Sequence, residues 1–168
     1  MKFTEISPYE IIGNPFQMID KDWMLIGAEK DGKQNAMTAS WGGLGVLWYK
    51  PVSFCFVRPQ RYTREFMDGS EFYSLSFFGE EKREMLSYFG KVSGRDEDKI
   101  AKSGLTLLPA EAPLFAESKL TLICRKLYVG DITPESILAA GIDEKVYPNK
   151  DYHKVYIGEI VKVLQAAE

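Results

Sequence analysis

The alternation of apolar and polar positions predicts strands over most of the chain, with short helices set between them. Trp23 to Lys30 (WMLIGAEK) reads as a strand, Asp31–Lys33 (DGK) as a turn, and Asn35 to Trp41 (NAMTASW) as the returning strand of a hairpin. Gly42, Gly43 and Gly45 then break the regularity. Pro51 opens a third strand, Val52 to Arg58 (VSFCFVR), rich in β-branched and aromatic residues. Arg58 to Ser70 begins as a loop and carries a short helix from Thr63, stopped by Asp68–Gly69. In the fourth strand, Glu71 to Phe78, Phe72, Ser74, Ser76 and Phe78 alternate with Tyr73, Leu75 and Phe77.

Gly79 to Gly90 has helical spacing at Met85, Leu86 and Phe89, and Arg95 to Ser103 predicts a second short helix. Residues 105–118, with Pro109 and Pro113, are irregular or edge-like. Ser118 to Ile132 is the longest strand, and Thr133–Ser136 opens a short helix ending near Gly141. His153 to Leu164 closes the chain, with Val155, Ile157, Val161 and Val163 on one parity. There is no rhythm of strand, long helix, strand, and no repeat or linker. The pattern predicts one mainly β domain over 1–168, an antiparallel barrel with peripheral short helices.

Composition narrows the function more than the fold. Across 168 residues, 45% are hydrophobic and 27% charged, with a formal net charge of −3. That balance argues against a nucleic-acid binder, which shows a basic excess. No apolar run approaches the roughly 20 residues of a membrane span, and the N-terminal segment lacks the apolar core of a signal peptide. The expectation is a cytoplasmic protein with no membrane partner. Cys55 and Cys124 sit singly in apolar runs, which predicts buried free thiols. One histidine and two separated cysteines make a metal site unexpected.

Several stretches carry candidate chemistry. Gly43-Leu44-Gly45 is no dinucleotide fingerprint, because the third glycine position is Trp48 and a strand follows in place of a long helix. Arg58, Arg61 and Arg64 surround Thr63 at a helix start, offering cations, a hydroxyl and backbone N–H groups to a phosphate; the same run also suits a solvated basic loop. Thr38 and Ser40 share one strand parity and lead to Trp41, so they suit a sugar-phosphate beside a stacked ring; they also suit the polar face of a half-exposed strand. Ser93–Lys99 (SGRDEDK) places Arg95 and Lys99 one helical turn apart, either toward an anion or in a surface ion network. With no GxSxG elbow present, His153 suits a hydrogen bond to a ligand or neighbour better than base catalysis.

The order of these stretches is more specific than any one of them. NAMTASWGG, then KPV at 50–52, VRPQRYT at 57–63, SLSFF at 74–78, SGRDEDK at 93–99 and HKVYIGEI at 153–160 together resemble the flavin reductase-like family, in particular its flavoredoxin-type, FMN-binding split barrels. The resemblance runs from about residue 15 to residue 163. It implies a six-stranded Greek-key split barrel, a homodimer, and one FMN per subunit near the dimer interface. Carried over by position, Asn35, Thr38, Ala39, Ser40 and Trp41 would meet the flavin, Arg61 and Thr63, joined by Ser40 and backbone N–H groups, would hold its phosphate in one shared niche, and Arg58 and Tyr62 would also touch the cofactor. Phe77 would sit near the isoalloxazine, and Lys99 and His153 would approach the cofactor. The implied activity is electron transfer between NADH or NADPH, or a redox partner, and flavin. A carrier without nicotinamide activity and a non-catalytic module for another flat ligand stay open. The segment 143–152 (DEKVYPNKDY) differs from the short acidic turn expected before the histidine strand, so it bears on the ligand side of the site.

Overall fold

A computed structural model describes residues 2–167; Met1 and Glu168, the ends of the expected domain, lie outside the described residues. The strands are β1 (Phe3–Ile6), β2 (Met24–Lys30), β3 (Lys33–Ala39), β4 (Gly42–Leu47), β5 (Lys50–Val57), β6 (Phe72–Phe77), β7 (Leu107–Leu108), β8 (Leu114–Phe115), β9 (Leu120–Asp131) and β10 (Lys154–Ala166). The α-helices are α1 (Thr63–Gly69), α2 (Arg83–Lys91), α3 (Lys99–Ser103) and α4 (Ile142–Val146). None of the helices is long and apolar enough to cross a membrane.

One antiparallel sheet holds eight strands in the order β3-β2-β6-β9-β10-β5-β4, with β1 added to the C-terminal half of β10. Its two outermost strands, β3 and β4, are joined only by Ser40 and Trp41. With two residues between them, the Cα atoms of Ala39 and Gly42 can lie at most about 11 Å apart. The sheet must therefore curl until its edges meet, which leaves a barrel split between β3 and β4. The barrel expectation holds, and the strand count is eight where six were expected. β1 and β4 make the difference. β4 was hidden because its sequence, GGLGVL, has a weak strand propensity. It forms by pairing with β5 from Gly42↔Cys55 to Leu47↔Lys50.

The apolar pattern divides between two layers. Met24, Ile26, Met37, Val57, Leu75 and Tyr156 fill the barrel. Leu25 and Ala36, on the opposite face of β2 and β3, pack outward with Leu86, Phe89 and Ile100 of α2 and α3. Fully burying each such large side chain contributes about 1.5–3 kcal/mol, and here it clamps α2 onto β3. Cys55 and Cys124 are both free thiols buried in the barrel. Ser53 Oγ lies 2.7 Å from Tyr73 Oη and donates to Cys124 Sγ at 3.3 Å.

Three local expectations change. The inward residues of β10 are Tyr156, Gly158 and Ile160, then Val163, because a bulge between Ile160 and Lys162 shifts the register. Val155, Ile157 and Val161 therefore do not share the buried face with Val163. The helix expected over 95–103 begins at Lys99, where the Asp98 side chain caps it by accepting from the Ala101 N–H at 3.0 Å. The helix expected after Thr133 shrinks to a 3-10 turn at Pro134–Ser136, and α4 follows it.

Gly42 opens β4 at φ 155°, and a Cβ there would lie 2.8 Å from the Phe54 carbonyl oxygen. Gly42→Ala is expected to lower stability by about 1–3 kcal/mol. Urea unfolding checks this; an unchanged midpoint would show that the β3–β4 junction tolerates a side chain.

Candidate functional site

A trough runs along the barrel split. Its middle, about 290 Å³, is lined by Met37 to Trp41, from the end of β3 and the link after it, and by Phe56, Arg58, Arg61 and His153. Through Arg61 and Met37 it joins a niche of about 160 Å³ bounded by Asn35, Tyr62, Thr63, Ser93, Gly94 and Lys99. Through Ser40, Trp41, Phe56 and His153 it opens on the other side into an apolar cleft of about 550 Å³. The residues quoted from distant parts of the sequence thus come together, Phe77 excepted. The shared phosphate niche expected for Ser40, Arg61 and Thr63 is not found as such: Ser40, in the link after β3, lines the middle and not the niche that holds Thr63, and Arg61 lines both and connects them.

The niche is dominated by two cations on the C-terminal end of α2. Arg61 donates to the Gly90 carbonyl at 2.7 Å and to that of Phe89 at 3.3 Å, and Lys99 Nζ donates to the same Phe89 carbonyl at 3.1 Å. The last carbonyls of a helix lack helical partners and carry its negative dipole end, so they attract cations. Among the described residues, no carboxylate lies within ion-pair distance of either. Burial, with Arg61 close by, pulls the Lys99 ammonium down to about 8, and burial also lowers Arg61. Thr63 is buried and accepts from Asn35 Nδ2 at 2.8 Å, which leaves its own hydroxyl hydrogen free. Gly94 closes the niche against Asn35; a Cβ there would overlap Asn35 Oδ1 at 2.2 Å. The niche is therefore a small, positively charged site with a hydroxyl donor at Thr63.

The middle of the trough is polar in a different way. The Thr38 hydroxyl donates to the Leu86 carbonyl, so toward a ligand it offers only acceptor capacity. Ser40 makes no hydrogen bond to protein among the described residues and stays available. Trp41 is half exposed, its ring 5.2 Å from that of His153. Arg58 is taken up by the segment before β10: it pairs with Asp151 at 2.6 Å, donates to the Val146 carbonyl at 3.1 Å and stacks over Tyr147. It lines the trough wall but its charge is not directed to the niche. His153 is buried, with Nδ1 2.8 Å from Tyr147 Oη. Burial, helped by Arg58, pushes its imidazolium down to about 4, so the ring is neutral at physiological pH.

One expected residue, Phe77, sits elsewhere, and Arg95 takes the surface-network alternative of its two readings. Phe77 lies in the barrel core and lines none of the three cavities. β6 lies between β2 and β9 in the middle of the sheet, away from the split, and its parity sends Phe77 inward. Arg95 is not a helical turn from Lys99, since α3 starts only at Lys99. It pairs with Glu65, donates to the Gln60 carbonyl at 3.1 Å and covers the Tyr62 ring. Conversely, Tyr147, Phe56 and Gly94 line the site without having been singled out. The departure in character of residues 143–152 was the one signal that could have pointed to Tyr147.

The model of the flavin reductase like domain family matches residues 19–168. No curated protein matches the chain. Among solved structures, the FMN-binding domain of a flavin reductases-like enzyme from Shewanella baltica superposes with TM-score 0.70 at 16% identity, over 98% of this chain and 77% of that one. The flavoredoxin of Methanosarcina acetivorans gives 0.68 at 23% identity, over 86% and 68%. An FMN-binding protein of Thermus thermophilus with bound p-hydroxybenzaldehyde gives 0.67 at 18%, over 96% and 82%. At these identities the structural likeness carries the fold, a split barrel, and the family model carries membership: the chain belongs to the flavin reductase-like domain family.

Proposed function

We propose that this protein is an FMN-dependent oxidoreductase that passes electrons between NADH or NADPH, or a redox partner, and the flavin. The observation that carries the reading is the Arg61–Lys99 pair, two neighbouring cations without a carboxylate, one of them almost wholly buried. Like charges at close range in a desolvated site are costly unless an anion joins them. A terminal phosphate dianion fits that need and the niche's size. Arg61, Lys99 and the Thr63 hydroxyl would hold the phosphate. The Thr38 oxygen and Ser40 would meet the hydroxylated chain, and Trp41 and His153 would flank the ring. When bound, FMN supplies hydride and single-electron chemistry, and the protein supplies binding and orientation. Neutral His153 needs no proton transfer in this scheme. The Shewanella and Thermus neighbours are described as FMN-binding, which agrees with the reading.

The reading includes a homodimer. At the β4–β5 hairpin tip, Trp48 and Tyr49 hold positive φ, 51° and 59°, and both rings are exposed. A two-residue turn of this kind favours Asn-Gly, and bulky residues there cost backbone energy. Val46 on the same hairpin, and Tyr9, Ile12 and Phe16 from the N-terminal segment, are exposed too. A second copy of the chain would cover such a surface.

Arg61→Ala and Lys99→Met are each expected to weaken FMN about ten- to hundredfold and riboflavin hardly at all, measured by fluorescence titration; equal losses would remove the phosphate role. With the free protein's Lys99 near 8, deprotonation above that value removes a cation from the niche. FMN affinity should therefore fall as pH climbs past about 8, and Lys99→Met should flatten that limb. Stopped-flow bleaching of the bound flavin by NADH or NADPH separates a reductase from a flavoredoxin-like carrier: the reductase bleaches well above the buffer rate, the carrier does not. Sedimentation velocity should find a dimer for the natural chain and a monomer for Trp48→Asn combined with Tyr49→Gly, with an unchanged circular dichroism spectrum.

A further inference from the structure

Residues 15–22 form a thin partition with a cavity on each side. Pro15, Phe16, Ile19 and Asp20 wall the apolar end of the trough. Gln17, Lys21 and Asp22 wall a separate polar cleft of about 520 Å³, between this segment and the start of α2. The turn Gln17–Asp22 is a π-helix, a rare form that is frequent at functional sites. Among the described residues, no strand pairs with it, and each hydrogen bond made within 7–22 has its partner in the same stretch, apart from those given by Arg83. Ile19 is the turn's one buried side chain, and it sits in the barrel core.

Arg83, the first residue of α2, reaches across the polar cleft to the end of this turn. Its Nη1 donates to the Lys21 carbonyl at 2.6 Å and to the Asp22 carbonyl at 3.2 Å. Carbonyls at the end of a helical turn have no partner further along, so a cation completes them. The guanidinium also lies 3.4 Å from the centre of the Trp23 ring, which packs against the outer apolar layer. Trp23 stands at φ 69°, ψ 166°, a conformation all but reserved for glycine. A tryptophan persists there only where its surroundings hold it. The other end of α2 gathers Arg61 and Lys99 on the Phe89 and Gly90 carbonyls, so one helix bears on both ends of the trough.

We infer that Arg83 is a positioning residue for the trough: its bonds to the Lys21 and Asp22 carbonyls and its stack on Trp23 latch residues 15–22 in place as a wall of the cleft that Trp41 and His153 also line. Arg83 lines none of the trough's three cavities and acts through the partition. Its bearing on a flavin rests on the proposed function; the latch itself rests on the hydrogen bonds and the stack. A methionine at 83 keeps an apolar stem and removes the donors. The two carbonyls would then turn to water in the polar cleft, and the backbone at Trp23 would relax and carry the partition with it.

Hydrogen exchange by mass spectrometry on the full chain, paired with fluorescence titration of FMN and riboflavin, tests the latch in Arg83→Met. Amides of 17–23 are expected to exchange at least about tenfold faster in the variant, with those of β2 and the rest of α2 unchanged. FMN and riboflavin should weaken by the same factor, about fivefold, in contrast to Arg61→Ala, which acts at the phosphate. Arg83→Lys keeps a donor and loses the flat stack. It should show a smaller change of the same kind, and it carries the test should Arg83→Met not fold. Unchanged exchange over 17–23, faster exchange spread equally over α2 and β2, a loss confined to FMN, or equal flavin affinities in the natural chain and the variant would each overturn the inference. Faster exchange over 17–23 in a chain that takes up no flavin upholds the latch and removes the proposed function; flavin uptake by the natural chain with unchanged exchange in the variant does the reverse.

Discussion

A two-residue link between the outermost strands of one sheet governs this molecule. Because β3 hands directly to β4 through Ser40 and Trp41, the sheet cannot lie flat, and its two free edges face each other across a gap. Unpaired edges are a hazard in most β proteins. Here the gap becomes the trough. The link contributes Ser40 and Trp41, β3 contributes Asn35 and Thr38, and the loop after β5 contributes Arg61 and Thr63. Gly42 makes the turn possible by letting the chain pass against the Phe54 carbonyl.

The second determinant is the placement of α2. Its apolar face is clamped to β3 by Leu86 and Phe89, so its C-terminal carbonyls are delivered to the end of the trough. Those carbonyls collect Arg61 and Lys99, which come from different parts of the chain. The result is a graded site: cationic at one end, neutral and hydroxylated in the middle, apolar at the other. That gradient matches a ligand with a charged tail and a flat head. On the proposed reading, it lets one trough hold a phosphate and an uncharged ring at opposite ends.

Much of this was legible in the sequence. Hairpin β2–β3 follows from alternation around Asp31–Gly32, and α2 from the spacing of Met85, Leu86 and Phe89. The ordered motifs placed most residues of the trough's middle and niche and few of those in the apolar cleft. What escaped depended on distant partners. β4 is a strand because β5 is beside it, not because GGLGVL favours one. The faces of β10 change at a bulge that only its pairing with β9 defines. Phe77 follows its parity into the barrel, and no local pattern reveals which strands border the split. Arg58, an obvious phosphate candidate from spacing alone, is diverted by Asp151, which lies 93 residues later.

The two thiols within the barrel have a further significance. Burial pushes the pKa of the Cys55 thiol far upward and that of Cys124 up to about 12. Oxidants and electrophiles attack sulfur through its anion, and in this interior the anion is scarcely populated. Reagents that act through the thiolate therefore find little to attack at these two sulfurs, whatever passes along the trough outside.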